Sequence, residues 1–226
     1  MRLVTGLLAI TVLSSSTAIV NAKFERPDNM TKMVVRLMGP GIKPKSFSAL
    51  PKTIYRAGPH YARIEDPPDA RQKIHKLTII AEPDAYSINL IDKKGMHAVD
   101  QGSANDLHLP VVLPFDPKHQ LGKLDRLEFG NEEEFFKNAG ATPEAGPMIN
   151  AKPTDALRLT IPTGSALLVL RSGTHQPVFL SWQTKEGTYK YEYIEYKDMP
   201  FDGNLFKKPG GITYKEILPD KGSEVG

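Results

Sequence analysis

The chain of 226 residues contains no cysteine. Disulfides, thiolate zinc sites and a lipid-acylated cysteine at the head of a mature chain are thereby excluded. Tryptophan occurs once, at 182, and neither charge sign dominates, with 29 Lys and Arg against 26 Asp and Glu. Nucleic-acid binding needs a concentrated basic face, and so balanced a chain offers no reason to propose one. Apolar runs of the ~20 residues that a membrane-spanning helix requires are also missing. The nearest approach, residues 3–13, follows Arg2 and precedes Val20-Asn21-Ala22, with small or modest residues at the −3 and −1 positions of a cleavage site. Residues 1–22 therefore read as a cleaved secretory signal, and 23–226 as a single domain exported to the periplasm without a lipid anchor.

Signatures of catalysis are equally scarce. The six histidines, at 60, 75, 97, 108, 119 and 175, form no HExxH and no close pair. No serine stands in a G-x-S-x-G elbow, and no glycine-rich loop is built to cradle phosphate. The expectation is a protein with no cofactor, no metal and no enzymatic activity.

What the chain has is strand pattern. Ser165-Ala-Leu-Leu-Val-Leu-Arg171 is nearly all apolar, 177–183 is a second such run, and 188–196 alternates. In that third run Tyr189, Tyr191 and Tyr193 share one face, and Lys190, Glu192, Ile194 and Tyr196 share the other. Ser172-Gly173 and Glu186-Gly187 supply hairpin turns. Earlier strands are expected at 31–38, 52–56, 60–65, 76–81, 85–91 and 96–100, with later ones at 156–161 and 211–217. Turn signals recurring roughly every 8 to 12 residues indicate an antiparallel meander, because a parallel sheet needs a helix between neighbours.

Residues 101–154 break this rhythm, with no alternating run longer than 109–113. One segment has helix chemistry: Asn131 as N-cap, Glu132, Glu133 and Glu134 in the first turn, and Gly140 as a stop. A helix over about 131–139 is expected, with Phe135, Phe136 and Ala139 as its apolar stripe. The first-turn position accounts for the three glutamates without any catalytic role.

Beginning at Tyr191, the sequence Tyr-Glu-Tyr-Ile-Glu-Tyr-Lys-Asp-Met-Pro-Phe-Asp-Gly-Asn-Leu-Phe-Lys-Lys-Pro-Gly-Gly-Ile212 resembles the closing hairpin of the bacterial lipoprotein-carrier superfamily, the LolA/LolB/RseB-like group. Residues 54–65 resemble its second hairpin. The resemblance spans 30–217 in order of elements. It implies a mainly β fold, α+β in class: a half-open, strongly curved antiparallel sheet of about eleven strands, with helical cover on an apolar concave face that takes acyl chains. Members of the group begin with an amphipathic helix, for which 23–29 is too short and too polar, so the lid falls to the 101–154 insertion, with Phe135 and Phe136 as its contact residues.

On one presumed face lie Leu77, Ile79, Tyr86, Ile88, Leu90, Leu168, Leu170, Val178, Leu180 and Trp182. Exposing several such side chains is costly, at about 1.5 to 3 kcal/mol each, so a ligand, a partner or the insertion must cover them. Arg56 and Arg63 admit two readings, cross-strand ion pairing on the solvent face or contact with the head of a lipid at the cavity rim. Function follows the same fork. The first expectation is a periplasmic carrier holding a lipid, acyl chain or lipoprotein. The second is an envelope sensor or interaction module of the RseB type, with a filled interior and another envelope protein as partner. Burial of Trp182 decides between them.

Overall fold

The computed structural model describes residues 26–99 and 121–217. The signal expected at 1–22, the alternating run 109–113, His108 and His119 lie outside the described residues. Twelve strands form one sheet: β1 (Asn29–Met38), β2 (Lys52–Ala57), β3 (Tyr61–Glu65), β4 (Lys76–Ala81), β5 (Asp84–Asn89), β6 (Lys94–Val99), β7 (Thr142–Ala145), β8 (Thr154–Ile161), β9 (Gly164–Arg171), β10 (Pro177–Thr184), β11 (Gly187–Pro200) and β12 (Thr213–Ile217). One α-helix, α1 (Glu132–Asn138), stands before β7. The spatial order is β12-β6-β5-β4-β3-β2-β1-β11-β10-β9-β8-β7, a curved sheet with two free edges rather than a closed barrel. The half-open antiparallel sheet expected from the sequence is present.

Three details depart from expectation. β7 is a twelfth strand inside the segment expected to be a lid, and among the described residues of that segment it is 121–141 that cover the sheet. Its residues Thr142-Pro-Glu-Ala145 are all exposed and include a proline. Such a strand carries no hydrophobic signal and is held instead by its ladder to β8 and by Arg158 gripping Glu144. β12 pairs with β6 in parallel, not antiparallel, because the chain crosses the sheet after β11 and reaches the far edge from the other direction. The third is a bulge at Ile194. Val34 pairs with Glu195 and Val35 with Tyr193, leaving Ile194 unpaired and half exposed. The extra residue restores Tyr196 to the side of Tyr193, where it is opposite Met33, against the simple alternation.

Directly paired residues of neighbouring strands share a face. Leu37 pairs with Tyr191, Tyr191 with Leu180, Leu180 with Leu168 and Leu168 with Leu157. Tracing from Leu77 instead leads through Glu65 and Thr53 to Val34, which lies on the opposite side of β1 from Met33 and Val35. The ten side chains expected on one face are therefore divided between two. Leu168, Leu170, Leu180 and Trp182 belong to one buried cluster, while Leu77, Ile79, Tyr86 and Ile88, with Leu90 packed beside them, belong to the other. Val178 sits at a register break of β10 and lines a surface cleft. The physical cause is that the central strands are covered on both sides: Met33 and Ile54 are buried in the first cluster, Met30 and Ala57 in the second.

Candidate functional site

Each face has its own cover, and each cover is fastened by one of the two arginines singled out in the sequence. On the Trp182 face the segment 121–141 lays down Leu121, Leu124, Leu127, Phe129 and Phe136, all buried against the sheet. Phe136 is fully buried, while Phe135 is partly so and lines a surface cleft. Arg56, on the same face, donates to the Phe129 carbonyl at 2.8 Å and pairs with Glu128 at 2.7 Å. Gly130, at φ +83, lets the chain turn here with the Arg56 side chain hard against it; a Cβ at 130 would stand 3.0 Å from Arg56 Cδ.

The Tyr86 face is covered by residues 199–214. Phe201 and Phe206 stack at 5.3 Å, and Tyr61 meets both edge-on. Arg63, on this face, donates to the Leu205 carbonyl at 3.1 Å and to Glu65 at 3.1 Å. Neither arginine forms the simple solvent-face pair of the first reading, and both spend guanidinium donors on main-chain carbonyls of the covers. The sequence offered no signal for this, because a clamp onto backbone depends on which segment arrives opposite.

Trp182 is 1% exposed and meets the rings of Tyr189 and Tyr191, with centroids 5.8 and 5.7 Å away. Its indole N–H is buried with no hydrogen-bond partner among the described residues. Burial pushes the Tyr191 phenol well above its ordinary value.

The helix holds a buried group that the sequence reading assigned only to its first turn. Glu132 is 2% exposed, and its Oε1 accepts from the Tyr193 hydroxyl at 2.5 Å and from the Gly130 N–H at 2.9 Å. Burial raises the carboxyl above the ordinary carboxylate value, against the opposing pull of Tyr193, Gly130 and Arg56. The same burial, joined by the charge of Glu132, raises Tyr193. Position 132 is four residues before Phe136, one helical turn away on the buried stripe, and that spacing was the available signal. Asn131 occupies the N-cap position but makes no side-chain capping bond.

The Trp182 face is open at one end. A cleft of about 380 Å3 enters beside Leu37 and Tyr191, walled by Ile42, Phe47 and Leu50 of the β1–β2 connection. Lys52 and Asp66 pair at 3.1 Å on its rim. This volume is at the low end of small-molecule sites, roughly 300 to 1,000 Å3. None of the residues expected to line the cavity is found in it.

The described histidines each meet a carboxylate: His60 with Glu82, His75 with Glu65, His175 with Glu133, and His97 with both Asp84 at 2.7 Å and Glu216 at 2.5 Å. His97 thus ties edge strand β12 to β5. Among the described residues no group of three or more such side chains is placed to hold a metal ion, and no helix is long and apolar enough to cross a membrane.

No protein-family model and no curated protein matches the chain. Among solved structures it is similar to an uncharacterized conserved protein from Thermus thermophilus, with 9% identity and a TM-score of 0.49 over 83% of this chain and 90% of that one. It is also similar to a chain of the Pseudomonas aeruginosa MucA/MucB complex, with 10% identity and a TM-score of 0.42, over 85% of this chain and 62% of that one. A LolA superfamily protein from Nitrosomonas europaea is a third, at 10% identity and a TM-score of 0.33 over 82% and 92% of the two chains. These are likenesses of fold alone.

Proposed function

We propose that the protein is a non-enzymatic binding module of the cell envelope whose interior is filled by its own side chains, and that it recognises a partner protein rather than carrying a whole lipid within the sheet. The burial of Trp182, packed with Leu168, Leu180 and Phe136, carries this reading. A two-chain lipid would have to displace the 121–141 segment, with its buried Leu124, Leu127 and Phe136, each of which contributes about 1.5 to 3 kcal/mol by burial. The outer edges of β12 and β7, beyond which no strand of the described residues lies, offer places where a partner strand adds to the sheet.

Native mass spectrometry of protein purified from its own host tests the proposal. The expected spectrum is that of a ligand-free chain, with no stoichiometric lipid in a solvent extract. A two-chain lipid retained at one per protein overturns it. A narrower carrier reading is favoured by one feature, the 380 Å3 cleft beside Leu37 and Tyr191, which has room for a single chain end. Uptake of a fluorescent fatty acid by the wild type that is lost in Ile42→Asp would move the function there.

A further inference from the structure

Among the described residues five arginines lie on strands, and four of them pair with a glutamate: Arg36 with Glu192, Arg56 with Glu128, Arg63 with Glu65 and Arg158 with Glu144. Arg171, the last residue of β9, is the exception. Among the described residues its side chain has neither an ion pair nor a hydrogen bond, and the same holds for Lys152. Both border one cleft of about 400 Å3, formed where two chain reversals come together at the end of the sheet.

The two reversals are rigidly built. Between β7 and β8, Asn150 and Ala151 both take left-handed backbone, φ 49 and 60. Ile149 and Lys152 close that turn with reciprocal 3.0 Å bonds. Between β9 and β10, the Arg171 N–H donates to Gln176 and the His175 N–H to Arg171, each at 2.9 Å. Thr154 pairs directly with Arg171, which sets the two reversals side by side. Ser172 and Thr174 line the same space, and Ile149 and Val178 border it with apolar side chains. Next to them Met148 stands 65% exposed.

We propose that this cleft binds a phosphate-bearing anion, the phosphate of an ester whose organic part rests on Ile149 and Val178. Two cations of different geometry suit a phosphate. The planar guanidinium of Arg171 presents paired donors to two oxygens, the Lys152 ammonium adds a compact charge, and hydroxyls complete the shell. Leaving both cations without a carboxylate, in a sheet that pairs its other strand arginines, is what an anion site requires before its ligand arrives. Two sources share this chemistry, the headgroup of an anionic lipid and a soluble phosphate ester, and an exposed methionine beside the cations suits the first.

Inorganic phosphate, titrated into the full chain and followed through backbone amide NMR shifts, tests the site. Saturable shifts centred on residues 150–152 and 171–174 are expected. Arg171→Gln and Lys152→Gln, both at exposed positions, should each weaken the response at least about tenfold, while Lys43→Gln in the β1–β2 connection leaves it unchanged. Cosedimentation with phosphatidylcholine vesicles containing phosphatidylglycerol then separates the sources. Binding that falls in Arg171→Gln and in Met148→Ser assigns a lipid headgroup, whereas phosphate binding without vesicle binding assigns a soluble ester. Shifts that fail to saturate, that spread evenly over the lysines, or that survive in Arg171→Gln overturn the proposal.

Discussion

Replacing Phe136 with alanine tests most directly whether 121–141 seals the Trp182 face. The ring is 0% exposed and packs in the same cluster as Leu124, Leu127 and Trp182. Losing its burial removes about 1.5 to 3 kcal/mol, and the cavity left behind brings the cost of such a change to about 3 to 5 kcal/mol. Its neighbour Phe135 is only partly buried and borders an open cleft, so Phe135→Ala forfeits a fraction of that burial, about 1 kcal/mol. The two variants differ by one position and remove the same atoms, which cancels most effects on the unfolded chain. A domain of this size has about 5 to 15 kcal/mol in hand, so Phe136→Ala should still fold. The first part to loosen is α1, since seven residues of helix have no stability of their own.

Urea unfolding supplies the global cost, hydrogen exchange over 132–139 the local one, and binding of an apolar dye reports exposure of the face beneath. Phe136→Ala should lower the unfolding midpoint, speed exchange in the helix and raise dye binding, with the far-ultraviolet β signal nearly intact. Phe136→Asp should do so more strongly, because it sets a charge against an apolar interior. Equal costs for the 135 and 136 variants, or a cost below about 1 kcal/mol for Phe136→Ala, would refute the packing argument.

The remaining predictions concern polar groups at the covers and edges. Because Glu132 is raised when folded, the folded chain holds its proton more tightly than the unfolded chain. Its contribution is therefore complete below the ordinary value of 4.5 and is lost as pH rises from there through the raised value. Glu132→Gln does not titrate, so it should gain stability relative to the wild type as pH rises from about 4 to 8; denaturation midpoints that run parallel across that range would contradict the assignment. Arg56→Met should speed hydrogen exchange in residues 121–131 and leave 203–206 unchanged, and Arg63→Met should do the reverse. The cost is expected to be larger at Arg56, about 2 to 3 kcal/mol, because the carboxylate of Glu128 is more buried than that of Glu65. His97→Ala removes both ties to Asp84 and Glu216 and should weaken β12 by about 1 kcal/mol, read as faster exchange of the amides of 213–217 while β4 and β5 stay protected.

Most strand positions were legible because apolar and β-branched runs between turn residues mark a strand wherever it falls. Residues 76–81 match β4 residue for residue, and the expected helix at 131–139 is α1 with its ends trimmed. β7 escaped because an exposed edge strand needs no hydrophobic residue, and Pro143 counts against it. The bulge at Ile194 escaped because one inserted residue shifts every side chain after it without altering composition.

The assignment of faces failed for a deeper reason. Alternation within one strand separates its two sides but does not say which side of the sheet either one is, and in β1 both sides are buried, Met30 on one and Met33 on the other. Register carries the missing information, and register is set by partners far away in sequence. A usable signal did exist in residues 201–214, which lead from the end of β11 into β12. Phe201, Leu205, Phe206, Ile212 and Tyr214 are too many apolar residues for a connection that stays in water. A segment so rich in them has to lie on something, and the strands that return by hairpins on the Trp182 side already have a cover in 121–141. Two apolar covers require two apolar faces. Arg63, on a strand next to that of Arg56 but on the opposite side, then has a cover of its own to hold.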